Sequence, residues 1–368
     1  MSWPKVKLSD VAQINPRCPK EINGVQLVSF VAMASASEDG KLVSEEVRVL
    51  DETKKGFTYF ERGDVLLAKI TPCFENGKSL RPNQISKKVG FGSTEFHVLR
   101  ANEEKLDSSY LFYMVWSKAF RFLGEHSMSG AAGQKRVSAD FLKAYEIPLP
   151  PLDEQKRVAA ILDKADAIRR KRQKAIDLAD DFLRSVFLDM FGDPRVNPKG
   201  WTEKPWGEVL KIINGKNQKA VLSESGQYPI MGSGGEMGRA TEYLSPENSI
   251  IIGRKGNINK PILVKERFWN VDTAFGLVAD TELLSFNYLY WFCIFFNFEK
   301  LNKTVTIPSL TKADLLEVKI PLPDIEFQHK FDLVVNNVSS MSHKYSDSKQ
   351  NSSNAFNSLC QQAFAGEL

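Results

Sequence analysis

The chain has 368 residues, 42% of them hydrophobic and 26% charged, a balance that excludes a disordered or fibrous protein and allows two or three domains with their own cores. Lys and Arg number 49 against 45 Asp and Glu, a formal charge of +4. So small an excess does not identify a polyanion-binding protein by itself. Four widely separated cysteines, Cys18, Cys73, Cys293 and Cys360, exclude a disulfide framework and a C-x-x-C metal site. The N-terminus, Met1-Ser-Trp-Pro-Lys5, carries no apolar leader. The most apolar stretch, Tyr288–Phe298, is broken by Asn297 and falls short of the ~20 residues of a membrane span. It reads as a buried core helix, and the chain as a cytoplasmic protein with no membrane role.

In chain order, the first strand-type runs are Gln26–Val31, Val65–Ile70 and Glu95–Leu99, punctuated by Gly, Asn and Pro. After Ile147-Pro-Leu-Pro150 the pattern becomes helical. Apolar residues recur at Val158, Ile161, Leu162, Ala165, Ile168, Ala175, Ile176, Ala179, Phe182, Leu183 and Val186. That is a stripe of period near 3.5 over about five heptads, interrupted at Arg172. Pro151 opens this helix, Asp153 and Glu154 suit its N-terminus, and Gly192 and Pro194 stop it. About 38 residues make a rod of roughly 57 Å. Strand-type runs return at Ile250–Gly253 and Phe275–Val278, and Ile320-Pro-Leu-Pro323 leads into a second stripe: Phe331, Val334, Val335, Val338, Met341, Tyr345, Ala355, Phe356 and Leu359. Its Ser/Asn-rich middle, Ser346–Asn354, has weak helix propensity and would fray alone.

Self-similarity organises these elements. The two I-P-L-P runs are 173 residues apart, and the same offset pairs Leu152 with Ile325, Gln155 with Gln328, Arg157 with Lys330 and Phe191 with Phe364. Upstream the offset grows: 178 for Tyr110-Leu111 and Tyr288-Leu289, 179 for Thr94-x-Phe96 and Thr273-x-Phe275, 185 for Val65–Lys69 and Ile250–Arg254, and 198 for Leu8-x-Asp10-Val11 and Trp206-x-Glu208-Val209. Collinear matches with a drifting offset are the mark of one topology whose second copy has shorter loops. Each copy is a body followed by a long helix, and each helix lacks any other long partner. The expected fold is therefore α+β: two pseudo-repeated mixed α/β bodies joined by two long antiparallel helices. The boundaries are residues 1–146, 147–195, 196–319 and 320–368.

The bodies carry their basic and amide side chains on loops. Residues 1–145 hold 21 basic and 17 acidic groups, and residues 196–320 hold 15 and 13. The helical segments are neutral at 146–195 and negative at 321–368. Basic and amide groups on loops suit phosphate and base-edge contacts, although any one such cluster also reads as a solvated loop. Catalytic signatures are absent. There is no Asn/Asp-Pro-Pro-aromatic methylase motif and no G-x-x-x-x-G-K-[ST] loop. Gly232–Gly238 misses dinucleotide spacing and reads as a turn-rich loop. Asp153-Glu154-x-Lys156 has the outline of a nuclease motif, but it begins a helix, and the second copy reads Glu326-Phe327-x-His329. His97, His126, His329 and His343 share no metal or triad spacing. Arg169–Arg172 reads as a solvated helix face or a contact to a partner or DNA backbone.

Ile147-Pro-Leu-Pro150-x-x-Asp-Glu154-Gln155-x-Arg-Val, leading into a long amphipathic helix and present twice, resembles the conserved regions of type I restriction-modification specificity subunits. Lys55-Gly-Phe, Phe60-x-x-Gly63-Asp64, Lys69-Ile-Thr-Pro72-Cys-Phe-Glu-Asn-Gly-Lys78 and Gly92-Ser-Thr94-Glu-Phe96 look like one type of target recognition domain. Tyr228-Pro229, Gly232–Gly235, Gly253-Arg254-Lys-Gly256, Phe268-Trp269 and Asp272-Thr273 look like another. The second copy departs in having Phe327 where the first has Glu154.

The resemblance spans nearly the whole chain and implies a non-catalytic subunit that binds no cofactor or metal. Double-stranded DNA with a bipartite, asymmetric target is its expected ligand, one half read by each body. The paired helices become a coiled-coil spacer that docks two modification subunits using S-adenosylmethionine to methylate adenine. Restriction subunits, which use ATP and Mg, join through the complex. DNA contacts are expected at Lys69, Thr71, Asn76, Lys78, Gln134, Lys135 and Arg136, and at Arg254, Lys255, Asn257, Asn270 and Thr306. The spacer helices and their partner contacts fall on Glu154, Gln155, Ile161, Ile168, Phe182, Gln328, Val334, Met341 and Phe356. Two other readings stay open at this stage: a subunit of the same architecture serving a different methylase–nuclease machine, and a coiled-coil scaffold with no DNA role.

Overall fold

The computed structural model describes residues 3–368 other than Glu21, Asn23, Pro82, Gln84, Ala132, Val305 and Thr306, and of residues 341–353 the backbone alone. The chain divides into two compact units: unit 1 is Met1–Gln173 with Asp347–Leu368, and unit 2 is Lys174–Ser346.

Unit 1 runs β1 (Lys5–Lys7), β2 (Ala12–Ile14), β3 (Leu27–Val31), β4 (Glu46–Val49), α1 (Leu50–Thr53), β5 (Thr58–Glu61), β6 (Val65–Ala68), β7 (Ser79–Leu80), β8 (Val89–Gly92) and β9 (Phe96–Ala101). It continues with α2 (Ser108–Trp116), α3 (Lys118–His126), α4 (Ala139–Ala144), β10 (Glu146–Pro148) and the start of α5 (Leu152–Phe191). The strands form two sheets, ordered β2-β9-β6-β7 and β4-β3-β8-β5, and β1 pairs with β10. The apolar run Val65–Ala68 is buried on both faces, as a central strand requires. Its alternation sends Val65 and Leu67 into the core under α2, and Leu66 and Ala68 into a second core with Val31, Phe60 and Phe96. Helix α2 is apolar on every side and buried from Tyr110 to Trp116, with Asp107 capping the amides of Ser109 and Tyr110. Val158, Ala159 and Leu162 of α5 join this core, as do Phe356, Cys360 and Ala363 near the end of the last helix, α9 (Ile325–Ala365). The Arg157 guanidinium donates to the Leu368 carbonyl at 2.8 Å, so the beginning of α5 meets the end of α9 within this unit.

Unit 2 repeats the plan with β11 (Glu203–Pro205), α6 (Trp206–Val209), β12 (Leu210–Asn214), β13 (Tyr228–Gly232), β14 (Gly235–Ala240), β15 (Ser249–Gly253), β16 (Ile262–Val264), β17 (Trp269–Asn270) and β18 (Ala274–Ala279). Then come α7 (Phe286–Phe295), α8 (Lys312–Leu316) and β19 (Lys319–Pro321). The sheet order β12-β18-β15-β16 reproduces β2-β9-β6-β7, and β11 pairs with β19 as β1 does with β10. The second sheet, β14-β13-β17, is one strand smaller but keeps a parallel pair, β13 with β17, where unit 1 has β3 with β8. Leu183, Phe187 and Phe191 of α5 share the core with Phe331 and Val335 of α9, so here the end of α5 meets the start of α9.

The same three-bond tie anchors a long helix in each unit. The buried Gln155 side chain accepts from the Asp107 amide at 2.8 Å and donates to the carbonyls of Lys105 and Pro150. Gln328 accepts from the Ser285 amide at 2.8 Å and donates to Leu283 and Pro323. The Tyr110 hydroxyl donates to the Pro148 carbonyl, and the Tyr288 hydroxyl to Pro321. The expected strands coincide with β3, β6, β9, β15 and β18. Helix α9 continues through its Ser/Asn-rich middle, and α5 through Arg172.

The stripe assignments need correction. Ile168 and Phe182 are about half exposed, while Leu162, Leu183 and Phe187 are buried. Of the adjacent pair Phe182 and Leu183, α5 buries only Leu183. Ile161 and Val334 lie at the edge of the buried face. Gln155 and Gln328 are fully buried with their amides used internally, so they are ties rather than contacts for a partner. Phe356 likewise belongs to the core of unit 1, against Tyr113 and Trp116. Glu154 is half-buried beside Arg157. The Met341 side chain lies outside the described residues.

Candidate nucleic-acid interface

In each unit the central strand of the first sheet ends in a clip that holds two loops together. In unit 1, β6 runs into Lys69, whose amide donates to the Glu95 carbonyl at 2.9 Å. The Val137 amide donates to the Lys69 carbonyl at 2.9 Å, and the Thr71 amide to the Lys135 carbonyl at 3.0 Å. In unit 2, β15 runs into Arg254, whose amide donates to the Thr273 carbonyl at 2.8 Å. The Leu310 amide donates to the Arg254 carbonyl at 2.9 Å, and the Gly256 amide to Pro308 at 2.9 Å. Bridges Ile70–Arg136 and Lys255–Ser309 complete the match. The clips use backbone atoms, so the loops they hold are free to differ in side chain.

They do differ. In unit 1, Gln134 and Lys135 are exposed. Arg136 donates through Nε and Nη2 to the two carboxylate oxygens of Glu95, at 2.9 and 3.0 Å, and through Nη1 to the Gln134 carbonyl. That guanidinium holds the Glu95 carboxyl below the usual carboxylate range, against the opposing effect of burial. The Thr71 hydroxyl donates to Glu75 at 2.6 Å, the exposed Asn76 donates to Glu38 at 2.9 Å, and the half-buried Lys78 ammonium lies 3.4 Å from the Met33 carbonyl. Beneath the clip, buried His97 uses Nε2 against the Val137 carbonyl at 2.9 Å and Nδ1 against Asn15 at 3.1 Å. Burial pushes this imidazole below its ordinary pKa.

In unit 2, Arg254, Lys255 and Asn257 are exposed, with the Arg254 guanidinium 5.8 Å from the Phe275 ring centroid. Asn302 ties the neighbouring loop, its side-chain oxygen accepting from the amides of Thr304 and Ser309. Asn270 is misplaced as a contact residue. It is fully buried, accepting from the Ser245 hydroxyl at 2.9 Å and donating to the Ile213 carbonyl. Thr306 lies outside the described residues. The other expected contacts gather around the two clips, with Asn76 and Lys78 at the far end of the first loop. Sequence reading missed Glu95 and His97 as organisers, because their partners Arg136 and Val137 lie about forty residues away in the chain. Among the described residues no group of three or more His, Cys, Asp and Glu could hold a metal ion, and no helix is long and apolar enough to cross a membrane.

The family model for the type I restriction modification DNA specificity domain matches residues 2–178 and again 198–331. The chain belongs to that family. The EcoEI specificity subunit of Escherichia coli, a type I restriction enzyme component, is 40% identical over 194 residues, 51% of this chain and 32% of that protein. The EcoAI specificity subunit, also from E. coli, is 39% identical over 190 residues, 50% of this chain and 32% of that protein. The chain thus aligns with about a third of the length of these two specificity subunits. The solved S subunit of the type I restriction-modification system of M. genitalium shares its fold, covering 98% of this chain and 96% of that one with a TM-score of 0.62 and 17% identity.

Proposed function

We propose that the chain supplies DNA sequence specificity to a type I restriction-modification complex and is not itself catalytic. Unit 1 and unit 2 each read one half of a bipartite, asymmetric target in double-stranded DNA. The long helices α5 and α9 pair as a coiled coil, set the unread gap and dock two modification subunits. S-adenosylmethionine, ATP and Mg are used by those partners and by restriction subunits, in a cytoplasmic complex. The observation that carries this reading is the pair of matching backbone clips holding unlike loops. One scaffold used twice, with different side chains at the same strand end, suits two different half-sites. The exposed Ile168, Leu178, Phe182 and Leu333 on the long helices leave apolar surface for a protein partner.

Single-molecule methylation sequencing of DNA modified by the complex of this chain with its modification subunit tests the reading. Two unlike half-sites with a fixed unread gap are expected, their centres about one DNA turn, ~34–36 Å, apart. Removing two heptads from both helices in register should shorten the gap and leave both half-sites intact; an unchanged gap would contradict the role given to the helices.

A further inference from the structure

We propose that Glu95 is a specificity-determining positioning residue: by gripping Arg136 with both carboxylate oxygens it sets how unit 1 presents Gln134 and Lys135 to DNA. This rests on the half-site reading above and goes beyond it by separating the residue that aims the loop from the residues that touch the bases.

The geometry is a triangle with fixed corners. Glu95 is held by its own backbone, its carbonyl accepting from the Lys69 amide and its amide donating to the Ser93 hydroxyl at 3.2 Å. Arg136 is held by its backbone between Ser129 and Ile70. Its guanidinium spans from the Glu95 carboxylate to the Gln134 carbonyl. Breaking the Glu95 corner leaves the Gln134 carbonyl joined to a guanidinium with nothing to orient it. Three of the five guanidinium N–H groups of Arg136 are taken, two by Glu95 and one by the Gln134 carbonyl, so the group is held in place by its own unit before any DNA arrives.

Unit 2 shows that the fork is a choice and not a requirement of the fold. The positions matching Glu95 and Arg136 in the clip bonds are Thr273 and Ser309, which cannot form it. There the Asn302 amide side chain ties the loop instead. A pair with 28% and 41% side-chain exposure, as Glu95 and Arg136 have, adds little to stability. What a two-pronged Arg–carboxylate pair supplies is direction. Its loss should blur recognition without unfolding the unit.

The test uses the full chain in complex with its modification subunit and reads methylated motifs by single-molecule sequencing. Glu95→Gln and Arg136→Gln should each raise methylation at sites violating one half-site by about tenfold, with the gap and the other half-site unchanged. The exchanged pair E95R/R136E should restore most of the selectivity. The unaffected half-site serves as the internal control for folding. A motif unchanged in both single variants would overturn the proposal. So would opposite effects, with Glu95→Gln tightening binding and steepening its salt dependence while Arg136→Gln weakens it, because that pattern marks Arg136 as a direct DNA contact. If the wild-type complex yields no two-part motif, the function reading itself fails, and this inference with it.

Discussion

Units 1 and 2 agree and differ in a systematic way. They share the sheet order, the two-stranded closures β1–β10 and β11–β19, the tyrosine bonds to Pro148 and Pro321, and the glutamine ties at residues 155 and 328. They differ in the second sheet, in the loops at the clips and in where the large aromatic of the facing long helix sits. In unit 1 Phe356 packs on Tyr113 and Trp116, with Cys360 one turn later. In unit 2 the position matching Phe356 is Leu183, and the position matching Cys360 is Phe187, which stacks on Tyr288, Trp291 and Phe295. The agreement lies in atoms that hold helices to sheets. The difference lies in what fills a core or faces solvent, so the repeat signal reports scaffold, and specificity is to be sought where the repeat fails.

The glutamine ties should show the largest effect. Gln155→Leu or Gln328→Leu strands one amide and two carbonyls, each at about 1–3 kcal/mol when buried. Each variant should therefore lose about 3 kcal/mol or more, from unit 1 and unit 2 respectively, in urea unfolding followed by a probe in each unit. A loss under about 1 kcal/mol in either one would break the equivalence of the ties.

The displaced aromatic gives the next effect, and an asymmetric one. Phe187→Ala should cost about 3–5 kcal/mol, whereas Cys360→Ala at the matching position removes one sulfur and should cost about 1 kcal/mol. Equal losses in the same unfolding experiment would mean that the two seats are filled alike.

Asn270 separates scaffold from reader inside unit 2. Asn270→Ala should cost about 1–3 kcal/mol of stability by orphaning the Ser245 hydroxyl and the Ile213 carbonyl. The methylated motif should be unchanged. A relaxed half-site with unaltered stability would return Asn270 to the contact surface.

The smallest effect is one of pH. His97 is buried with its pKa lowered, chiefly by desolvation, and Lys69 acts in the same direction. The unfolded chain therefore binds the proton first. Unit 1 should keep the full contribution above the ordinary imidazole value and lose stability progressively as pH falls from there to the depressed native value. Unit 2 has Phe275 at the matching strand position and lacks this loss. Thermal melting between about pH 7.5 and pH 5 should lower the unit 1 transition more than that of unit 2, and His97→Gln should narrow the difference.

Much of the fold was legible because backbone and apolar demands repeat with a countable offset. The strands Val65–Lys69 and Ile250–Arg254 and both helix starts were recognisable in this way. Other features were not. Ile161 and Leu162, or Phe182 and Leu183, satisfy the same 3.5-residue period equally well, and only the residues packed against the helix decide which faces inward. An asparagine that ties a buried carbonyl has the same chemistry as one that meets a base, so Asn270 was indistinguishable from Asn257. Glu95 and Arg136 stand 41 residues apart, and no local pattern links them. The proposed function rests on loops whose residues have no repeat to betray them.

Two independent readers built on one scaffold are the core of the proposed function. The most direct test is the methylated motif of the complex when Gln134 and Lys135 are both changed to Ala. One half-site should lose its definition at one or two positions, with the gap and the other half-site intact. A change in both half-sites, or in neither, would contradict it.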